Sequence, residues 1–511
     1  MASNKLLGYE SLKAVMLHMD AGQRLLLSRK CPSLRLLESS LPFKIYYLEL
    51  KKDGTVMNNT TFKLGIYRDY PPGENVPTVF QKDNDEGGLV RDLDEFGFIK
   101  NCGEMTPGDI NLQREPEPEL IPNLADIANR KEKILQLLDR ALALRLEMDA
   151  MEEEETVKTV IQILLDTVEE RGPQFYQFEL PDYEAPQMPL VWNREHLDYP
   201  RRRRVKYKNE GGYSEDIEIR KMAKGTASSL QKKRDEAEAE WLPYYYWLNK
   251  LTPPYTPMIQ LTIKHTSGNR IQRLPYVMKY HEMLKKLNTA LFGKRKYLLE
   301  TLAIKSEHTL RIPVGIKFQV KNIEVLTTAL NKFWPCLDTS TPLKVLTLLN
   351  ALPLQEAIIS QSKVARETGR LIIHNNTMTT QSWGRILANL PNRHVEVKFE
   401  NIRFQTEDFM GLVRNWLQNG RPIGAEYSFG IRKEATAREV LEKVEEKLGA
   451  NRVEDRQISI QMKDGLLLTL SYHQLPGEVS SMEYELFWRA EDYSTGWILK
   501  MKVVYTFNEF C

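Results

Sequence analysis

Leu346-Thr347-Leu348-Leu349-Asn350 and Leu371-Ile372-Ile373-His374-Asn375 share one spelling: apolar, any, apolar, any, asparagine. The same line occurs at Phe318, Val320, Asn322 and at Val397, Phe399, Asn401. The four asparagines are 28 (322 to 350), 25 (350 to 375) and 26 (375 to 401) residues apart. Self-similarity at this period marks leucine-rich-repeat-like solenoids, in which each repeat supplies a short strand and a returning helix or coil that bury one apolar layer. An asparagine amide suits the strand end, where it satisfies backbone groups as the chain turns away. Alternation closed by a turn-former is also how a half-buried strand of an ordinary α/β sheet ends, so both readings stand on these residues. Side chains between the apolar ones point to the opposite face. Lys317, Gln319, Lys321, Thr347, Ile372, His374, Lys398 and Glu400 occupy those positions and are candidate contacts for a protein partner.

At 511 residues the chain is too long for one core and should hold two to four domains. Its 71 basic and 69 acidic side chains leave a net charge of +2, so the molecule as a whole is not built to bind a polyanion. Nothing apolar is long enough to span a membrane, and Met1 to Leu7 lacks the core of a signal peptide. Cys31, Cys102, Cys336 and Cys511 are scattered, the usage of a reducing compartment, cytoplasmic or nuclear. The Asn-x-Thr triplets at Asn58, Asn59 and Asn375 then read as turn chemistry. The eight histidines stand singly, with no metal-ligand spacing among them. No phosphate-binding glycine loop, nucleophile elbow or kinase signature occurs, so no cofactor, metal or small-molecule substrate is expected.

Outward from the repeat, the chain reads as an α+β protein in five parts. Residues 1–42 are leucine-rich short helices, with Leu12, Val15, Met16 and then Leu25 and Leu27 at helical spacing. Residues 43–110 switch to period two and form a small β-rich domain. Residues 111–250 are a charged helical insert and linker. Leu124 to Arg171 has no Gly or Pro and reads as one long helix or a helical hairpin, open to a packed or a coiled-coil arrangement. Arg201 to Lys208 carries six basic side chains in eight residues, a pattern shared by import signals, nucleic-acid contacts and plain solvated runs. Residues 251–431 hold the repeat, and 432–511 extend it with a helix and two hairpins, the first from Gln457 to Tyr472 turning at Asp464 and Gly465, the second from Met482 to Phe507.

Several phrases carry a resemblance: Tyr9-Glu10-Ser11-Leu12-Lys13, then Cys31-Pro32-Ser33-Leu34, Asp92-Leu93-Asp94-Glu95-Phe96-Gly97, Pro253 to Pro257, Leu390-Pro391-Asn392, and Trp416 to Gly424. Together they resemble a large nematode-expanded family of uncharacterised, F-box-related proteins. The usual Leu-Pro opening of an F-box is missing here, with Gly8 and Tyr9 in its place. The resemblance implies an F-box-like start joined to an F-box-associated, leucine-rich-repeat-like region. Its function would be non-catalytic: a substrate-recognition adaptor of a cullin-type ubiquitin ligase. Leu12, Val15, Met16, Leu25 and Leu27 would then face a Skp-type adaptor. From the residues alone, the same helices serve equally as a cap on the β-domain. A scaffold without a ubiquitin connection and an enzyme using dispersed carboxylates are the rival readings.

Overall fold

The computed structural model describes residues 8–100, 104–112, 123–171, 213–266, 268–292, 297–305, 307–352, 355–375, 383–399, 406–431, 433–474 and 496–505. The chain divides into two compact units. One comprises Met1–Ile66, Cys102–Glu117 and Ile259–Cys511, the other Tyr67–Asn101 and Pro118–Met258.

The first unit opens with α1 (Tyr9–His18), α2 (Ala21–Lys30) and α3 (Arg35–Ser40). Asp20 starts α2: its Oδ1 accepts the amides of Gly22 at 2.9 Å and Gln23 at 3.3 Å, satisfying donors that a helix start leaves free. Its Oδ2 accepts from Asn58 Nδ2 at 2.9 Å. Asn58 itself sits at φ 52° and receives the amides of Tyr46 and Tyr47, which is turn chemistry. Gly22 has to be glycine, since a Cβ there would lie 2.1 Å from Thr60 Oγ1. A buried ion pair, Arg24 Nε to Glu38 at 3.3 Å, ties α2 to α3. The same guanidinium donates to the carbonyls of Glu38, Leu41 and Pro42 and lies over the Phe43 ring, so it holds the last turn of α3 against the first strand.

That strand is β1 (Phe43–Lys51), followed by β2 (Gly54–Met57) and β3 (Thr60–Asp69). In the second unit come α4 (Thr78–Asp85) and the short pair β4 (Asp92–Leu93) and β5 (Ile99–Lys100), and in the first β6 (Ile110–Asn111). Three helices of the second unit are next: α5 (Leu124–Arg171), α6 (Tyr213–Met222) and α7 (Ala227–Asn249). The chain continues through β7 (Thr256–His265), β8 (Gly268–Pro275), α8 (Tyr280–Phe292), β9 (Tyr297–Ile304) and β10 (Thr309–Leu310). The repeat region follows as β11 (Val320–Leu326), α9 (Leu330–Phe333), β12 (Val345–Leu349), α10 (Glu356–Gln361), α11 (Lys363–Glu367), β13 (Arg370–Asn375), α12 (Gly384–Asn389) and β14 (His394–Phe399). Last are α13 (Thr406–Asn419), β15 (Glu426–Ile431), α14 (Glu434–Leu448), β16 (Asn451–Glu454), β17 (Gln457–Gln461), β18 (Leu466–Gln474) and β19 (Trp497–Tyr505).

Fifteen of these strands join one mixed sheet, in the order β16-β17-β18-β19-β15-β14-β13-β12-β11-β9-β1-β2-β3-β7-β8. The α+β class expected from the sequence is what the chain adopts. Strands from the stretches 43–110, 251–431 and 432–511 are continuous in that sheet, because β1 pairs in parallel with β9 and β15 pairs antiparallel with β19. From β9 through β11, β12, β13 and β14 to β15, every neighbour is the next long strand in sequence, and every pairing is parallel.

The register lines up one apolar row, Leu302, Ile323, Leu346, Leu371, Val395 and Tyr427, and a second, Ile304, Val325, Leu348, Ile373, Val397 and Phe429. All twelve are buried in the main core. On them pack Ile386 and Leu387 of α12, Phe409, Val413 and Trp416 of α13, and Val440 and Val444 of α14. Trp416 meets Tyr427 edge-on at 4.8 Å and Phe409 meets Phe429 edge-on at 5.4 Å, favourable aromatic geometries.

The observed repeat is rephased at both ends. Ile323, Leu346, Leu371 and Val395 are the equivalent residues, 23 (323 to 346), 25 (346 to 371) and 24 (371 to 395) apart. Phe318 and Val320 alternate on even numbers, while Ile323 and Val325 alternate on odd ones. Phe318 and Val320 bury in the same core, but the row that lines up with β12 is the second, so Asn322 lies inside β11, paired with Thr301 and Val345, and does not end it. Asn350 follows β12 in the left-handed region at φ 50°, a true turn asparagine, and Asn375 closes β13. Asn401 lies outside the described residues.

Asp109 anchors the segment before β6. Its carboxylate accepts from the Thr106 amide and hydroxyl, Arg311 and Lys285. Burial pushes this carboxyl up, but those hydrogen bonds prevail and hold it below the ordinary aspartate range.

In the second unit, α5 is a single helix of 48 residues, about 72 Å long at 1.5 Å per residue. Leu138 and Ala141 of α5 bury against Leu230 of α7. Arg234 bridges Asp139 and Glu238. Residues 150–159 of α5 are exposed throughout. Arg68 lies 3.9 Å above the Phe80 ring and pairs with Asp83 at 2.9 Å. In the phrase Asp92 to Gly97, Asp94 accepts the amides of Phe96 and Phe98, and Gly97 at φ 86° lies where a Cβ would be 2.6 Å from the Tyr255 hydroxyl. The polar linker Glu115 to Pro118, the basic run Arg201 to Lys208 and the start of the second hairpin lie outside the described residues.

Replacing Arg24 with alanine leaves Glu38 buried without its counter-charge and strips three carbonyls of their donor. Denaturant unfolding of the full chain should show a loss of about 3–5 kcal/mol. An unchanged midpoint would mean that the pair does not hold the N-terminal helices in place.

Candidate functional site

Between the apolar rows, the same strands carry a polar row on the opposite face. In register it runs Glu49, Ala303, Glu324, Thr347, Ile372, Glu396, Ser428, Lys500 and Ser471. One step along the strands lies a second, His374, Lys398, Gly430, Ile498 and His473. Each member of the first row lies between two apolar neighbours of its strand, which fixes it on this face, and strand alternation carries the second row onto the same side.

Ion pairs link adjacent strands. Lys305 Nζ is 2.9 Å from Glu324, and Arg370 of β13 pairs with Glu396 of β14. Glu426 of β15 takes Lys500 at 2.9 Å and Lys502 at 3.5 Å, both from β19. Tyr47 donates to Glu49 at 3.3 Å, and Lys305 sits 5.5 Å from its ring.

The electrostatics follow from this packing. Burial lifts the Tyr47 phenol above its usual value despite Lys305 beside it. Burial would lower the Lys305 ammonium, but Glu324 and Tyr47 raise it beyond the ordinary lysine range. Burial would raise the Glu426 carboxyl, but its two lysines pull it down. His374 is lowered to about 3, first by burial and then by the positive charges of Lys398 and Lys305, so its imidazole is neutral at physiological pH. Burial likewise lowers His473, with Lys500 adding to the effect.

Of the eight candidate partner contacts, the structure brings Thr347, Ile372, His374 and Lys398 onto this face. Thr347 and His374 are half-buried, Ile372 is buried, and Lys398 is 1 % exposed. Lys317 and Gln319 are exposed ahead of β11, where Lys317 donates to the Pro335 carbonyl. Lys321 is exposed near the start of β11 and lies 3.7 Å from Glu300. Glu400 lies outside the described residues. Glu324, Glu396, Glu426 and Lys500 also belong to this face and are not among the residues that the asparagine repeat singles out. Their signal was present, since Glu324, Glu396 and Lys500 each sit as a charge between two apolar residues of a strand. With the first repeat phased on Asn322, Glu324 fell beyond its end.

Of the N-terminal candidates, Met16 and Leu25 are buried, Leu12 and Leu27 are half-buried, and Val15 is exposed. Among the described residues, no group of His, Cys, Asp or Glu is arranged to hold a metal ion. A cleft along α5 of the second unit is lined by Asn129, Glu132, Lys133, Gln136, Leu137 and Arg140.

A histidine whose folded pKa lies near 3 contributes nothing above its unfolded value of 6.5 and destabilises progressively as pH falls below it, because only the unfolded chain takes up the proton. Histidine 374 replaced by glutamine, His374→Gln, should therefore lose less stability than the native chain between pH 6.5 and 4.5. Equal losses, measured by denaturant midpoints, would refute the buried neutral imidazole.

Residues 279–433 match a family model described as a domain of unknown function, DUF3557. The match runs from the start of α8 past the end of β15 and so takes in the parallel strands that carry the polar face. No curated protein and no solved structure matches the chain.

Proposed function

We propose that this chain is a non-catalytic protein-binding module that recruits a Skp-type adaptor through α1–α3 and acts as a substrate-recognition adaptor of a cullin-type ubiquitin ligase. The observation that carries this reading is the division of labour in those helices. Met16, Leu37 and Leu41 form their own small core, with Leu12 and Leu17 packed on it. Tyr9, Val15 and Leu36 are left 63 %, 46 % and 85 % exposed. Single exposed apolar residues are ordinary, but several on two helices packed together suit the groove of a partner protein.

The rigid attachment of these helices supports the reading. With Arg24 and Glu38 locking α2 to α3, a bound adaptor keeps a fixed relation to the sheet. Ligation then works by proximity: a target held on one surface is presented at high effective concentration to a conjugating enzyme brought by the other. No chemistry is asked of this chain. Without a Skp-type partner the same surfaces describe a scaffold.

The full chain mixed with a Skp-type protein at micromolar concentration should co-elute. The double variant Val15→Asp with Leu36→Asp should weaken that complex by at least about tenfold, since charges in an apolar contact are left unpaired. Both positions are exposed, so the thermal midpoint should not move. No co-elution of the native chain rejects the ubiquitin reading.

A further inference from the structure

Among the described residues, one edge of the large sheet is open. β8 is its terminal strand, hydrogen-bonded only to β7 among the described strands. It is exposed at every position but Gln272, which is half-buried, so neither face of it is covered. Along a terminal strand, alternate backbone N–H and C=O groups point outward unpaired. Ile271 and Leu274 of β8, and Val277 just after it, are large exposed apolar residues within seven positions.

The charge of this edge is one-sided. Between Glu240 and Glu282 the sequence contains no Asp or Glu, although the whole chain has nearly as many acids as bases. Lys264 of β7 and Arg270 and Arg273 of β8 are exposed. Arg273 reaches back to Gln260 at 2.9 Å, while Arg270 has no ion pair among the described residues. Strand alternation sets Ile271 with Arg273 on one face and Leu274 with Arg270 on the other. Each face of the edge therefore presents one apolar and one guanidinium side chain.

We infer that β8 is a strand-addition site for an extended acidic segment of a partner protein, one that carries both an apolar and a carboxylate side chain on each face. Backbone pairing supplies affinity in this mode and the flanking side chains supply selectivity. Carboxylates of the added strand would meet Arg270 and Arg273 as cross-strand neighbours, and its apolar side chains would meet Ile271 and Leu274. A second copy of β8 is the poorer occupant, since it brings arginine to an edge that already lacks acids. This inference rests on the protein-binding reading above but uses a different surface, so the two fail separately.

The test uses the full-length chain and fluorescence anisotropy. The probe is a labelled peptide of about six residues, the length of an average strand, with valine and glutamate spaced so that each face of the extended peptide carries one of each. Saturable binding is expected, weakening as salt rises, and a valine and lysine peptide should bind at least about tenfold more weakly. Arg270→Glu should weaken the acidic peptide at least about tenfold without moving the thermal midpoint. The same peptide methylated on its backbone nitrogens should lose binding, because it cannot pair with the edge. Equal binding of the methylated peptide reduces the effect to charge attraction and overturns strand addition, as does an unchanged affinity in Arg270→Glu. A concentration-dependent dimer that Leu274→Ser disperses puts a second copy on the edge and also overturns it. Val15→Asp with Leu36→Asp should leave peptide binding intact, so loss of the Skp-type complex alone leaves this inference standing.

Discussion

The parallel run from β9 to β15 advances one strand at a time in one direction, and the rest of the first unit depends on that. A crossover between parallel strands is right-handed, so a run that never reverses puts all its returning segments on the same face. One face thus collects α9 to α13 and must be apolar, and α14, which follows β15, packs into the same core. The other receives none of the crossovers and is free to be polar. A doubly wound sheet reverses its strand order and covers both faces, which makes its strands read as unbroken apolar runs. Here the strands alternate, and alternation follows from the order of the strands.

The run ends where β15 takes an antiparallel neighbour, yet the apolar rows do not end there. Tyr427 is level with Met501 and Leu470, and Phe429 with Leu499 and Tyr472. The change of direction alters the hydrogen bonding but keeps the same side chains facing the helices. Tyr427 marks the junction: its hydroxyl donates to the Leu390 carbonyl at 3.2 Å, and Arg421 supplies that loop with two further donors. Burial raises the phenol to about 12, so it stays a donor throughout the physiological range.

Much of this was legible in the sequence, and the reasons differ by element. The repeat spacing announced sequential parallel strands because each strand needs the same apolar pair, and Leu346 with Leu348 and Leu371 with Ile373 were read in register. The first repeat was not, because two alternations of opposite parity meet at Asn322 and Ile323, and only pairing with β9 and β12 selects one. The hairpin turn at Asp464 and Gly465 was readable, since both need positive φ, which the structure gives as 60° and 67°. The joining of β1 to β9 was not readable: no local signal in Phe43 to Lys51 names a partner about 250 residues away, and strand pairing at that separation is decided by the whole sheet. For the polar face, residue type was visible but not depth, so Lys398 read as a contact and proved buried.

That depth also bears on what the polar face does. Its charges are largely committed to one another across strand boundaries: Lys305 with Glu324, Arg370 with Glu396, Glu426 with Lys500 and Lys502. Each of these pairs joins strands at one register only, and a slip by one residue would carry every such charge into the apolar side. Paired and partly desolvated charges contribute little net stability, but they penalise the wrong register heavily. The face therefore specifies the sheet first. A partner meeting it would find Thr347 and His374 half-buried between paired charges, the imidazole neutral. The backbone edge left open among the described strands, with the basic side chains beside it, lies elsewhere, at β8, where the sheet stops.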